Sequence, residues 1–286
     1  MTISNYARWM QSIPESKPLN QITIPGTHDT CTSKIHLDFV RTQDKTVAEQ
    51  LSNGIRFLDA RCRHIEDVFA MHHGSYYLEL MFGDVLNDVR SFLSSNPTEC
   101  VIVSVKEEYN AANNKLTFAQ VFEQRYYTPY STSWFAENRV PQMHEVRGKM
   151  VLLRRSSISH GINATGWKDN ATFDLNNGVP IHIQDQYDVT TVFGISGKWD
   201  HVQTALDKAK ADSSGTLYVN FTSGASSGAY PNAIAYGSSV NHGILRRLSD
   251  YLDKKENKSG HFGILPMDFV DHNDWEVVKK LAATNF

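Results

Sequence analysis

Short β-type runs recur along this chain, and each ends in a polar or charged cluster. Residues 22–24 lead to His28 and Asp29, 55–58 to Asp59 and Arg61, 68–71 to His72 and His73, and 100–105 to Lys106, Glu107 and Glu108. Residues 150–153 lead to Arg154 and Arg155, 181–183 to Gln184 and Asp185, 217–219 to Asn220, and 262–265 to Asp268. Amphipathic helical patterns lie between several of these runs. The clearest spaces Phe82, Val85, Leu86, Val89, Phe92 and Leu93 at i, i+3, i+4 and stops at Asn96-Pro97. Weaker ones cover 117–124, 199–211, 240–255 and 273–282. Strands alternating with helices predict βα units and a mainly parallel sheet, and eight strands in 286 residues predict a closed α/β barrel of the (β/α)8 type. The polar strand ends agree, because the C-terminal face of such barrels carries their chemistry.

The barrel is expected to be irregular. Arg61 and Val68 are too close in sequence for a crossover helix, and 156–180 is rich in Asn, Gly and Ser without helical periodicity. Residues 223–239, rich in Gly, Ser, Ala and Tyr, read as a long surface loop. No internal repeat, charge block or linker marks a second domain, so 1–286 reads as one domain. No apolar run reaches the ~18 residues of a membrane-spanning helix. The N-terminus lacks the basic and apolar regions of a secretory leader, while the expected location is secreted and extracellular.

With 28 Lys+Arg against 31 Asp+Glu, the net charge of −3 offers no global field for nucleic acid, so none is expected as a partner. An anionic substrate must be met locally. Cys31, Cys62 and Cys100 are odd in number and lack metal-ligand spacing, and Cys31 and Cys62 read as small packing residues.

Three features bring chemistry to the strand ends. Pro25-Gly26-Thr27-His28-Asp29-Thr30 places an imidazole and a carboxylate on the turn after the first strand. In Asp59-Ala60-Arg61, strand alternation sends Asp59 and Arg61 to the same side, where a guanidinium fixed by a carboxylate suits a phosphate. Met71-His72-His73-Gly74 adds an imidazole to the rim; adjacent histidines point opposite ways, so at most one faces inward. Two imidazoles, a guanidinium and carboxylates suit phosphodiester cleavage: one imidazole takes a proton, the other protonates the leaving alkoxide, and the cation stabilises phosphorane charge. His28, Asp29, Asp59 and His73 offer metal ligands in principle. Arg61, however, puts positive charge where the ion would sit, so no metal is expected.

Taken in order, several motifs extend this set. They include Arg8-Trp9-Met10-Gln11-Ser12-Ile13-Pro14, the Pro25 to Thr30 turn, Phe57-Leu58-Asp59-Ala60-Arg61, His72-His73-Gly74 and Ser104-Val105-Lys106-Glu107-Glu108-Tyr109. Further along come Gly148-Lys149-Met150-Val151-Leu152-Leu153-Arg154-Arg155, Gln184-Asp185-Gln186-Tyr187 and Tyr218-Val219-Asn220-Phe221-Thr222-Ser223. The series resembles the bacterial-type phosphatidylinositol-specific phospholipases C, relatives of the X-domain of the eukaryotic phosphoinositide phospholipases C, over essentially the whole chain.

The resemblance implies an imperfect (β/α)8 barrel with some outer helices missing. It implies His28 as general base, oriented by Asp268, and His73 assisted by Asp29 as general acid. Arg61 is implied to hold the phosphate, filling the place of the calcium of the eukaryotic relatives, so no cofactor is expected. Lys106, Arg155 and Asp185 are the implied inositol contacts, with Tyr187 stacking on the ring. The implied reaction cleaves phosphatidylinositol to diacylglycerol and 1D-myo-inositol 1,2-cyclic phosphate, with slow hydrolysis of the cyclic ester. A monomer making transient peripheral contact with phosphatidylinositol in membranes or micelles is expected. Two loops offer aromatics for that contact: 126–135, with Tyr126, Tyr127, Tyr130, Trp134 and Phe135, and 229–236, with Tyr230 and Tyr236. Two other readings compete: a metal-dependent glycerophosphodiesterase-like barrel, and a silent module that binds a lipid headgroup.

Overall fold

In the computed structural model, which describes residues 3–286, every one of the eight β-type runs forms a strand. The strands are β1 (Ile24–Thr27), β2 (Phe57–Ile65), β3 (Val68–His73), β4 (Tyr76–Met81), β5 (Val101–Glu107), β6 (Trp134–Phe135), β7 (Met150–Arg155), β8 (Ile162–Asn163), β9 (Ala171–Asn176), β10 (Pro180–Asp185), β11 (Leu217–Asn220) and β12 (Ile264–Met267). The α-helices are α1 (Val47–Ser52), α2 (Phe82–Ser95), α3 (Phe118–Val121), α4 (Met143–Val146), α5 (Ile195–Ala211), α6 (Pro231–Tyr236), α7 (Ile244–Asp253) and α8 (His272–Ala283).

Hydrogen-bonded neighbours run β6-β7-β5-β2-β1-β12-β11-β10-β9, parallel except at the antiparallel β10–β9 edge. β8 joins β6 along the outer edge of β7. The result is an irregular (β/α)8-type barrel, but the expected closed ring of eight parallel strands is not formed. β3 does not enter the ring. Glu66 and Asp67, both left-handed at φ 52° and 55°, turn the chain at once, and β3 returns antiparallel on β2 with Cys62 opposite Met71. The ladder also stays open between β9 and the β6–β8 edge. Side chains bridge that seam: Asn138 Nδ2 donates to the Asn177 carbonyl at 2.7 Å, and Asn177 Nδ2 to that of Thr165 at 2.9 Å.

Alternation along the strands sorts the apolar residues into two separate cores. Ile24, Phe57, Ile102, Val151, Ile181, Ile183, Leu217, Val219 and Ile264 fill the interior. Leu58, Ala60, Val101, Val103, Val105, Met150, Leu152, Leu265 and Met267 face outward to the helices. The amphipathic pattern at 82–93 supplies α2 of the outer layer, burying the six apolar residues of that pattern, and the chain leaves the helix at Asn96 before Pro97. Burying each such side chain contributes roughly 1.5–3 kcal/mol against chain entropy. One rung of the interior runs Gly26, Phe57, Ile102, Val151. Gly26 is required there, because a Cβ at this position would lie 2.9 Å from Cβ and Cδ1 of Phe57.

The rest of the prediction needs adjustment at its edges. The weak helical pattern at 117–124 becomes the single turn α3 followed by a π-helical turn at Phe122–Tyr127. The stretch 156–180, which lacks helical periodicity, forms no helix and contributes β8 and β9, and the loop 223–239 contains α6. Among the described residues, no helix is long and apolar enough to cross a membrane.

Candidate active site

Two or four residues beyond the apolar rungs, these interior columns end in a polar side chain or an aromatic ring. Arg61, Lys106 and Arg155 are Cα partners on β2, β5 and β7, so three cations share one rung. His28 follows β1 and Asp268 follows β12, while Asp185 ends β10. Phe221 follows β11 and completes the ring. His28, Arg61, Lys106, Arg155, Asp185 and Asp268 line a cavity of about 1060 Å³ at the C-terminal mouth of the barrel.

His28 is fixed on three sides. Its main-chain N–H donates to the Met267 carbonyl at 3.0 Å, and its own carbonyl accepts from Gln43 Nε2 at 2.9 Å. Its Nδ1 lies 2.7 Å from Asp268 Oδ1, and its Nε2 lies 2.8 Å from Arg61 Nη2. A guanidinium only donates, so Nε2 must accept and the proton sits on Nδ1, where it donates to Asp268. The imidazole is therefore neutral, with its basic nitrogen facing the cavity. Burial lowers its proton affinity, but the Asp268 carboxylate more than offsets this, and the net shift is upward from the ordinary value of 6.5. The Phe221 ring packs edge-on against it, with centroids 5.9 Å apart.

Arg61 donates from Nε to Asp59 Oδ2 at 3.0 Å and lies 3.7 Å from Asp29 Oδ2. Burial opposes its charge, yet Asp59 and Asp29 raise its proton affinity well above the ordinary range, so the cation is permanent. Asp29 is itself buried, which would favour its neutral form; Arg61 and then His73 reverse that and hold the carboxyl below its ordinary value. Asp29 adopts φ 44°, a left-handed conformation that Asp tolerates better than most residues, and this turn aims its carboxylate at both Arg61 and His73 Nδ1. The adjacent histidines do point opposite ways. His73 lines the cavity, whereas His72 is buried on the far side against Tyr77 with its Nδ1 near the Gly74 carbonyl.

The other predicted residues also converge. Arg155 Nη1 lies 3.4 Å from Asp59 Oδ1 and its Nη2 3.8 Å from Asp185 Oδ2. Lys106 Nζ lies 2.6 Å from Glu108 Oε2. Tyr187 stands half-exposed at the mouth, its hydroxyl donating to Asp169 Oδ1 at 2.8 Å. Burial and that carboxylate push its phenol up to about 12, so it stays neutral.

Sequence reasoning missed two members of this site. Trp167 lies under the Arg155 guanidinium, 3.7 Å from the ring centroid, and donates from Nε1 to Asp185 Oδ2 at 2.8 Å. A lone tryptophan in an Asn- and Gly-rich stretch was the available signal. Glu108 accepts from Lys106 and from the Gly74 N–H at 3.1 Å, tying the histidine turn to β5. The available signal was strand alternation, which puts Glu108 rather than Glu107 on the side of Lys106.

Two expectations concern residues elsewhere. Loop 126–135 does not form the rim: Tyr126, Trp134 and Phe135 are buried, and the Tyr126 hydroxyl accepts the Phe69 N–H at 3.0 Å. That segment packs under the β3 hairpin because the Tyr126 ring stacks on Phe69 and meets Phe82 edge-on, while Trp134 lies tilted against Phe122. All three cysteines are buried free thiols. Burial raises each thiol, that of Cys100 to about 12, which leaves them inert packing groups. Among the described residues, no three His, Cys, Asp or Glu side chains are grouped as a metal site.

The barrel and its mouth thus define a phosphodiester-type site: a neutral imidazole, a second imidazole on a carboxylate, and a fixed guanidinium between them. Residues 15–156 match the model of the phosphatidylinositol-specific phospholipase C X domain. The chain is 32% identical to the 1-phosphatidylinositol phosphodiesterase of Staphylococcus aureus strain Newman, covering 97% of this chain and 93% of that protein. It is 28% identical to the enzyme of that name from Listeria monocytogenes, over 97% and 84% of the two chains. A solved Staphylococcus aureus phosphatidylinositol-specific phospholipase C, studied for modulation of its membrane binding, superposes with a TM-score of 0.86 at 30% identity, covering 99% of this chain and 98% of that one. The chain belongs to the phosphatidylinositol-specific phospholipase C X-domain family.

Proposed function

We propose that this protein is a metal-independent phosphatidylinositol-specific phospholipase C that acts as one catalytic domain. The observation that carries the reading is the arrangement of His28, Arg61 and His73, because it supplies a base, a phosphate anchor and an acid around one cavity. When a phosphate oxygen draws the Arg61 N–H away from His28 Nε2, the freed lone pair takes the proton of the inositol 2-hydroxyl. The oxygen attacks phosphorus, and the bond from phosphorus to the glycerol oxygen breaks. His73 gives its proton to that leaving oxygen, releasing diacylglycerol and 1D-myo-inositol 1,2-cyclic phosphate. Asp268 stabilises the imidazolium formed on His28, and Arg61 offsets the charge that builds on the phosphorane. Slow hydrolysis of the cyclic ester reverses the two imidazole roles.

Lys106, Arg155 and Asp185 pair with the ring hydroxyls, and Tyr187 covers the ring face. Each hydroxyl loses water on entry and needs such a partner. The independence from metal rests on charge: Arg61 lies within 4 Å of Asp29 and Asp59, the carboxylates that a cation would need. The presence of both imidazoles favours turnover over silent headgroup binding.

Membrane contact runs through the mouth. Phe39 and Tyr230 line it with exposed rings, their centroids 6.3 Å apart. Phe193 and Val240 are 83% and 94% exposed, in sequence-distant loops that Asn241 joins by donating to the Val192 carbonyl. Such tips suit a bilayer interface better than solvent.

The test is phosphorus NMR of the purified protein with phosphatidylinositol vesicles, before and after exhaustive chelation. The expected result is a five-membered cyclic phosphate signal of unchanged rate. Direct release of inositol 1-phosphate, or loss of activity restored by a divalent ion, would overturn the mechanism.

A further inference from the structure

Outward-facing positions on barrel strands are normally apolar, yet between β10, β11 and α5 the structure buries a lysine. Lys198, only 3% exposed, sits in the first turn of α5. A cation there lies at the unfavourable end of the helix dipole. Its ammonium has three acceptors: Gln184 Oε1 at 3.2 Å, the Gln186 carbonyl at 2.8 Å and the Phe221 carbonyl at 2.6 Å. Gln184 is itself used up, with its Nε2 donating to Asn220 Oδ1 and to the Phe221 carbonyl and its Oε1 accepting the Gln186 N–H.

These acceptors are not arbitrary points of the backbone. Gln186 stands between Asp185 and Tyr187, two of the proposed inositol contacts. Phe221 carries the ring packed against His28 and, at 5.9 Å, against Trp167. We propose that Lys198 is a positioning residue for substrate affinity, whose three-donor ammonium locks the Asp185–Tyr187 wall of the pocket to the ring that supports the base. An apolar side chain of equal length would anchor α5 as well but would leave the two carbonyls free to shift. The inference rests on the reading of the pocket as a phosphatidylinositol site.

A neutral amine donates only two hydrogens, so the lock loosens when Lys198 deprotonates. Burial depresses its proton affinity, and Asp185 at the end of β10 and Asp268 after β12, the charged groups that bear on it, restore part; the balance lies at about 7. Affinity for the headgroup is therefore expected to fall as pH rises through neutrality.

The experiment measures kcat and KM for monomeric short-chain phosphatidylinositol from pH 6 to 8.5, with thermal unfolding recorded in parallel. Wild-type KM should rise across this range. Lys198→Met should show a KM raised about tenfold at pH 6, the scale of one charged hydrogen bond, and no further rise with pH. Lys198→Arg, charged throughout, should keep a flat KM near the low-pH value, and it tests the point even where the Met variant does not fold. A Met variant with wild-type KM at pH 6, or an Arg variant that keeps the wild-type rise, would overturn the proposal. Absence of turnover in the wild type would instead sink the reading of the pocket.

Discussion

Replacing Asp268 with Asn isolates the charge behind the base from the hydrogen bond it makes. The amide oxygen of Asn can still accept from His28 Nδ1 across the present 2.7 Å. What disappears is a full negative charge roughly 4 Å from the centre of the imidazolium that forms during proton abstraction. At an effective dielectric constant of about 20, that attraction amounts to about 4 kcal/mol. At 1.36 kcal/mol per decade of rate, kcat should fall roughly a thousandfold, with KM little changed. The Arg61 donor on Nε2 disfavours the reversed tautomer, so the loss should not greatly exceed this figure. A second readout has a definite sign. Burial and Arg61 both lower the proton affinity of His28, and Asp268 is what lifts it above ordinary. The acidic limb of kcat/KM reports a base that must be neutral, so in Asp268→Asn it should move to lower pH. Stopped assays on short-chain phosphatidylinositol between pH 4.5 and 8 measure both quantities. A loss below tenfold, or an acidic limb that stays in place or moves upward, would refute the assignment of Asp268 as the stabiliser of the base.

His73→Ala should lose activity on phosphatidylinositol by at least a hundredfold yet recover most of it on an inositol phosphodiester with a nitrophenol leaving group, which needs no proton; equal losses on both substrates would remove His73 as the acid. Gly26→Ala should destabilise the protein by about 1–3 kcal/mol in urea unfolding, because the added Cβ meets Phe57 inside a filled rung; an unchanged midpoint would show that the rung has slack.

How much of this was legible in the chain follows from how local each determinant is. Asp59 and Arg61 share a face because strand period is a property of three consecutive residues, and the polar strand ends marked the mouth correctly. The choice of His73 over His72 depends on the β2–β3 register, which the turn at Glu66 and Asp67 sets and which alternation alone leaves ambiguous. β9 escaped notice because Ala171–Asn176 is half-polar, as an edge strand with one exposed face should be, and its pairing with β10 supplies what its composition lacks. Trp167 and Lys198 matter only through partners such as Asp185 and Phe221, and no short window of sequence contains both members of those pairs.

The single rung shared by Arg61, Lys106 and Arg155 ties catalysis to assembly. A slip of one residue in β2 would send Arg61 to the helix layer and bring Ala60 or Cys62 into the mouth. Misregistered molecules would therefore be both badly packed and dead, with no partially active class between. For a barrel refolded from denaturant, turnover number counts the correctly threaded fraction, and the enzyme serves as its own reporter of folding yield.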